Sequence, residues 1–216
     1  MENNVNYSII CGDSFEEDNS LWCPSAAQLI SRYHNLKFET YARKGKGNKF
    51  IFHSLITGLN KRNYKLAIIN WSSIWRIDYI NHFDNWNVST DLSIEKITDT
   101  HFSQQDHRLL ESLLYIYSSQ ILLKQKDIPY IMYWGIHPGH DTDNLSCLEL
   151  LSLIENNSGF YNLKKKFNEN DCCLFNYAKS INHLHTYDNL HPDQEAHRRW
   201  SIIVNKFMDD NNIKTK

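Results

Sequence analysis

Three residues far apart in the chain have the types needed for acyl transfer at a serine. Ser14 falls near the end of "YSIICGDSF" (residues 7–15), where an apolar run stops abruptly in Gly-Asp-Ser-Phe. Asp188 and His191 stand three residues apart in "YDNLHPDQEAH", just before the last amphipathic segment. A serine at the C-terminal lip of a parallel strand sits where open α/β sheets hold their ligands. An imidazole can take its proton, and a carboxylate beside the imidazole fixes the tautomer and stabilises the imidazolium that forms. Each motif also has a plain structural reading, because Gly, Asp and Ser form turns or cap helices and Asp, His and Pro are common ahead of helices. Together the two motifs offer a nucleophile, a base and an orienting carboxylate, a combination that capping does not require.

For these residues to meet, the intervening chain must fold so that the two motifs share one edge. Ile9 to Cys11 end a first short strand, and Pro24 opens "PSAAQLISRYHN", whose Ala27, Leu29, Ile30 and Tyr33 form one apolar helical stripe. "LKFETYA" alternates as a second strand, and a glycine turn leads to a helix carrying Phe50, Ile51, Leu55 and Leu59, which Asn48 can cap. "YKLAIINW" (64–71) is a continuous apolar strand of the buried parallel kind, and "DHRLLESLLYIYSSQILLKQKD" (106–127) is a long helix leading to the strand "PYIMYW". "NLSCLELLSLIEN" is a shorter helix. "HPDQEAHRRWSIIVNKFMDD" is the last, with Pro192 at its start and Ala196, Trp200, Ile203, Val204 and Phe207 on one face. Strands alternating with helices predict a three-layer α/β/α domain on a mainly parallel sheet. Residues 75–103 are polar and aromatic with little periodicity, and are expected to form an insertion or lid over the C-terminal edge of the sheet.

Composition narrows the class of function. A chain of 216 residues, 41% apolar and 22% charged, can build one substantial core and is expected to be one domain, residues 1–216. A formal net charge of −2 gives no reason to expect nucleic acid or an anionic membrane as partner. Lys164 to Lys166 form the one tight basic run and suit a solvated surface. No basic segment leads into a long apolar core and no stretch reaches about 18 apolar residues, so a cytoplasmic protein is expected. Cys11, Cys23, Cys147, Cys172 and Cys173 lack zinc-site or disulfide-framework spacing and are expected to be reduced, mostly buried thiols.

"GDSF" near the N-terminus and "DNLHP" near the C-terminus together resemble the SGNH, or GDSL-like, hydrolase superfamily, over nearly the whole chain. The resemblance implies a flavodoxin-like α/β/α fold and hydrolysis of esters, thioesters or carbohydrate O-acyl groups with no metal or other cofactor. It assigns Ser14 as nucleophile, His191 as general base and Asp188 as the carboxylate that orients it. It also assigns the Ser14 N–H as the first oxyanion donor. A second family motif adds a glycine N–H, for which "YARKGKGNKFI" offers Gly45 or Gly47, with Gly45 favoured by its distance from the helix.

The third family motif, Gly-x-Asn-Asp, is replaced here by "INWSSIWR". Asn70 lies within the strand, too early to serve, so Ser72 or Ser73 is the candidate third donor. Asp13, Asn48, Trp71 and Arg76 are the candidate substrate-binding residues, Arg76 suiting an anionic or sugar-like group. The substrate implied is a small or carbohydrate ester, with O-acetyl preferred over long-chain acyl because no exposed apolar lid helix is evident. The acyl group would pass to water or to another acceptor, and activity is expected to fall as the imidazole protonates.

Two other readings compete. "HLHTYDNLH" puts His183, His185, Asp188 and His191 close in sequence, and "HPGHD" adds His137 and His140, which invites a metal site although neither segment is HExxH. A non-catalytic carbohydrate-binding protein on the same fold would use Trp71, Trp75 and Trp86 as sugar platforms, but it would not need Ser14, Asp188 and His191 together.

Overall fold

The computed structural model describes residues 5–13, 15–16, 24–74, 76–80, 86–89, 101–137, 144–156, 159–163, 165, 169–186, 188 and 191–215. Four strands, β1 (Tyr7–Cys11), β2 (Lys37–Thr40), β3 (Leu66–Trp71) and β6 (Tyr130–Trp134), form a parallel sheet in the order β2-β1-β3-β6. Phe160 extends it at the far side through a parallel bridge to Met132, with Met132 N–H donating to the Gly159 carbonyl and Tyr161 N–H to the Met132 carbonyl. β1 pairs Ile10 with Thr40 on one side and with Ile68 on the other. All four strands therefore end at the same edge, where Gly12–Asp13, Tyr41–Gly47 and Ser72–Ser73 follow them.

Strand pleating sends alternate residues to two helical layers. Ile9, Cys11, Ala67, Ile69, Trp71, Met132 and Trp134 face a core shared with α2 (Asn48–Leu59), α3 (His101–Gln125) and α4 (Leu145–Glu155). Ile10, Leu66, Ile68, Ile131 and Tyr133 face a second core against α1 (Ala26–Tyr33), α5 (Leu174–Ser180) and α6 (Gln194–Asp210). This is the three-layer α/β/α arrangement expected from the alternation of strands and helices. Among the described residues, no helix is long and apolar enough to cross a membrane. Cys11, Cys147, Cys172 and Cys173 are buried thiols outside any disulfide, and Cys23 lies outside the described residues.

Helix starts differ from the sequence expectation in a consistent way. Pro24 precedes α1, whose N-cap is Ser25, closed by a capping box with Gln28. Asp193, one residue after Pro192, caps α6 by accepting from Ala196 N–H at 2.9 Å. Asn48 is not the cap of α2; Gly47 holds that position and has no side chain to offer. The carboxylate of Asp78 replaces it, accepting from Gly47 N–H at 2.8 Å and Phe50 N–H at 2.7 Å. Asp78 lies on β4 (Ile77–Ile80), which pairs antiparallel with β5 (Trp86–Ser89) inside the segment read as irregular. The long helix α3 begins at His101, five residues earlier than its apolar pattern indicates.

Candidate active site

The turn after β1 is organised by the wholly buried Asp13. Its Oδ1 accepts from Phe15 N–H at 3.0 Å, and its Oδ2 accepts from the Ser72 hydroxyl at 3.0 Å and from Arg76 Nη1 at 2.9 Å. One carboxylate thus ties the end of β1 to the end of β3, which corrects its assignment as a substrate contact. Ser14 itself lies outside the described residues, between Asp13 and Phe15.

Phe15 is the link to the other motif. Its ring packs edge-on against the His191 imidazole, with centroids 5.7 Å apart and planes at 82°. His191 Nδ1 is 2.5 Å from Asp188 Oδ2, and His191 N–H donates to Asp188 Oδ1 at 3.1 Å. Both contacts hold the imidazole to the carboxylate in the i, i+3 turn the spacing permits. The turn is fixed in place by a short antiparallel bridge between Leu184 and Pro192, with His185 N–H donating to the His191 carbonyl at 2.8 Å. Residues 183–185 and 191–193 therefore carry the imidazole on a braced ribbon at the start of α6.

Several other candidate residues are engaged elsewhere. Asn48 clamps the end of β3: its Nδ2 donates to the Ser72 carbonyl and the Ser112 hydroxyl, each at 3.0 Å, and its Oδ1 accepts from Ser72 N–H at 2.8 Å. With its amide satisfied inside the protein, Asn48 is a structural clamp and not a substrate contact. Trp71 is fully buried in the core and offers no surface to a sugar; Trp134 and Trp200 are likewise buried. Trp75 lies outside the described residues. The Ser72 hydroxyl hydrogen is directed at Asp13, which removes it as an oxyanion donor, and Ser73 is nearly buried. Gly47 N–H is held by Asp78, and a Cβ there would run into the Arg76 carbonyl oxygen. Gly45 has φ of 73° and open space where a Cβ would stand. Arg76 stays half-buried between Asp13 and the Lys46 carbonyl.

Asn70 is drawn away by the strand pleat. It stands beside Tyr133 in register, on the α1/α6 face, and its Nδ2 donates to Glu16 Oε1 at 3.3 Å. Its Oδ1 is buried without a hydrogen-bond partner. Glu16 is the residue that sequence reasoning missed: wholly buried, it also accepts from the Tyr133 hydroxyl at 2.7 Å and from Ala27 N–H at 3.1 Å. Burial pushes its carboxyl up to about 7 despite these donors.

The other histidines are accounted for separately. His183 Nδ1 lies 2.8 Å from Asp193 Oδ2, and His197, buried, accepts on Nδ1 from Ala26 N–H at 3.1 Å. His137 is buried with Nε2 directed at the Lys165 carbonyl at 3.0 Å, and His140 lies outside the described residues. Among the described residues, no three His, Cys, Asp or Glu side chains are grouped as a metal site.

No family model and no curated protein matches this sequence. Solved structures do match in fold. The chain is similar to the psychrotrophic esterase EstA from Pseudoalteromonas sp., solved as inhibited by monoethylphosphonate, at 10% identity and a TM-score of 0.55 over 97% of this chain and 100% of that one. It is similar to a GDSL-like lipase from Bacteroides thetaiotaomicron at 13% identity and a TM-score of 0.52, over 95% and 89% of the two chains. It is also similar to the acetyl xylan esterase AlAXEase at 11% identity and a TM-score of 0.51, over 93% and 98%.

Proposed function

We propose that the chain, whose fold is similar to that of an esterase and a GDSL-like lipase, is a serine esterase of the SGNH/GDSL-like type, acting on a small-molecule ester through an acyl-enzyme. The observation that carries the proposal is the Asp188–His191 pair packed on Phe15, the residue that follows Ser14. A base already bound to its carboxylate stands against the turn that carries the nucleophile, which is what proton transfer from a serine requires.

In this reading His191 accepts the Ser14 proton as Oγ bonds to the acyl carbon. The oxyanion forms among the N–H groups of Ser14 and Gly45. His191 then protonates the departing alkoxide, and a water or acceptor alcohol, deprotonated by the same imidazole, releases the acyl group and restores Ser14. With Asn70 turned to Glu16 and Ser72 to Asp13, the hole relies on backbone donors. Loss of one oxyanion donor typically lowers kcat by roughly 10² to 10³, so a modest turnover is expected. A short acyl such as O-acetyl on a carbohydrate is the substrate favoured.

The test needs no knowledge of the substrate. The protein is treated with a fluorophosphonate and the adduct mapped by peptide mass spectrometry, beside Ser14→Ala and His191→Ala. Labelling at Ser14 that fades in His191→Ala is expected. An unlabelled Ser14 in folded protein would refute the nucleophile.

A further inference from the structure

The two ends of residues 13–16 are tied together, and one buried side chain holds the far end. Glu16 N–H donates to the Asp13 carbonyl at 3.1 Å, and Phe15 N–H donates to Asp13 Oδ1 at 3.0 Å, so the segment closes across position 14. Asp13 fastens its near end to Ser72, after β3. Glu16, wholly buried, fastens its far end to four elements at once. Its Oε1 accepts from Asn70 Nδ2 of β3 at 3.3 Å and from the Tyr133 hydroxyl of β6 at 2.7 Å. Its Oε2 accepts from Ala27 N–H of α1 at 3.1 Å, and its backbone carbonyl from the Thr40 hydroxyl of β2 at 3.3 Å.

Two glycines make room for this arrangement. Gly12 and Gly135 follow β1 and β6 directly, and neither has the left-handed backbone that calls for glycine. A Cβ at Gly12 would lie 3.0 Å from Glu16 Cγ and 3.2 Å from Asn70 Cβ, and one at Gly135 would run into the Asn70 amide. Burying a carboxyl costs free energy that an apolar side chain would not. What the carboxyl adds is direction, since bonds from three elements meet at a point two residues after Ser14. The hold also reaches the base, because Phe15, next to Glu16, lays its ring edge-on against His191 at 5.7 Å.

We infer that Glu16 is a positioning residue: its carboxyl, held by Asn70, Tyr133 and Ala27, sets where the turn presents Ser14 to His191. The inference rests on the esterase reading for what Ser14 does there and adds the residue that holds it in place. A misplacement of about 1 Å between reacting groups can lower a rate about 10²-fold, so a brace set behind the nucleophile acts on turnover without touching substrate.

The experiment measures the rate and final extent of Ser14 labelling by a fluorophosphonate, with kcat and KM for 4-nitrophenyl acetate, in wild type, Glu16→Ala, Glu16→Gln and Tyr133→Phe. Glu16→Ala is expected to label about 10²-fold more slowly yet to the same final extent, with kcat reduced alike and KM little changed. Glu16→Gln, which keeps an oxygen for Asn70 and Tyr133, is expected to recover part of the rate. The inference is overturned by wild-type labelling in Glu16→Ala, by a reduced extent at the wild-type rate, which marks lost folding and not a displaced serine, or by no recovery in Glu16→Gln. If Glu16→Ala does not fold, Tyr133→Phe decides, since it removes one hydroxyl and leaves the ring in the core. Slower labelling to full extent then supports the inference, and wild-type labelling overturns it. If Ser14 of the folded wild type is not labelled at all, the esterase reading fails, and the hold is judged alone by amide hydrogen exchange. Faster exchange at Phe15 and Glu16 in Tyr133→Phe, with the amides of α3 protected as in wild type, supports it. Unchanged exchange at the two residues, or faster exchange throughout, overturns it.

Discussion

Arg76 Nη1 donates to Asp13 Oδ2 across 2.9 Å, and the carboxylate it meets is wholly buried while the guanidinium is one-fifth exposed. Removing the cation leaves a buried anion with only the Ser72 hydroxyl and a backbone N–H. Arg76→Ala is expected to lower stability by about 3 kcal/mol, at the low end for a buried pair broken from one side, because water can enter from the exposed flank. Arg76→Lys recovers part of it. Urea midpoints of the three proteins measure the effect, and an Arg76→Ala midpoint equal to wild type would refute the anchoring role of the pair.

Glu16 and His197 make opposite demands on pH. Burial raises the Glu16 carboxyl to about 7, so the folded chain keeps a proton that an unfolded glutamate has lost above ~4.3. Its contribution is complete below that value and declines as pH rises to about 7. Burial, aided by His185 and His191, lowers His197 to about 4, below the ~6.5 of free imidazole. Its contribution is complete above ~6.5 and declines as pH falls toward about 4. Between about pH 4.5 and 6.5 the two slopes oppose each other. Glu16→Gln is expected to make stability rise more steeply with pH across that window, read as urea midpoints at several pH values. A slope unchanged from wild type would mean that Glu16 is ionised throughout.

Asp78 caps a helix that has no cap of its own. Asp78→Ala frees the Gly47 and Phe50 N–H groups and is expected to cost about 1 to 2 kcal/mol, with Asp78→Asn costing less. Gly47→Ala should also destabilise, through its clash with the Arg76 carbonyl oxygen. Thermal denaturation of the three variants tests both statements. A neutral Asp78→Ala would show that water satisfies the end of α2.

For the proposed chemistry, Asp188→Asn keeps the shape of the side chain but gives the imidazole the wrong partner. It is expected to reduce turnover of an ester by about 10³- to 10⁴-fold with little change in KM. Single-turnover kinetics on the variant would show slow acylation. Acylation at the wild-type rate would remove Asp188 from the mechanism.

The sequence discloses the layers of this fold because buried parallel strands such as Leu66–Trp71 and amphipathic helices such as Gln194–Asp210 carry their own patterns. It discloses the Asp188–His191 pair because the two lie three residues apart. What it hides are partnerships across long separations. Asp78 meets Gly47 from a strand whose four residues have no periodicity to read. Asn48 and Trp71 look like polar and aromatic site residues, and only packing shows that one clamps Ser72 and the other fills the core. Glu16 gives no sign of burial, since a glutamate in a turn is ordinarily solvated.

The first helix is finished by the last one. Of the N–H groups opening α1, Ala26 donates to His197 of α6, Ala27 to Glu16 in the turn after β1, and Gln28 to its own cap. One of these partners lies 171 residues downstream. During synthesis, α1 emerges long before α6 exists, so the Ala26 N–H waits in water until residue 197 has been made. The start of α1 is thus completed only once α6 has been made. α6 follows directly on the braced ribbon with His191, so the contact of Phe15 with the His191 imidazole likewise forms only after the intervening sheet has been made.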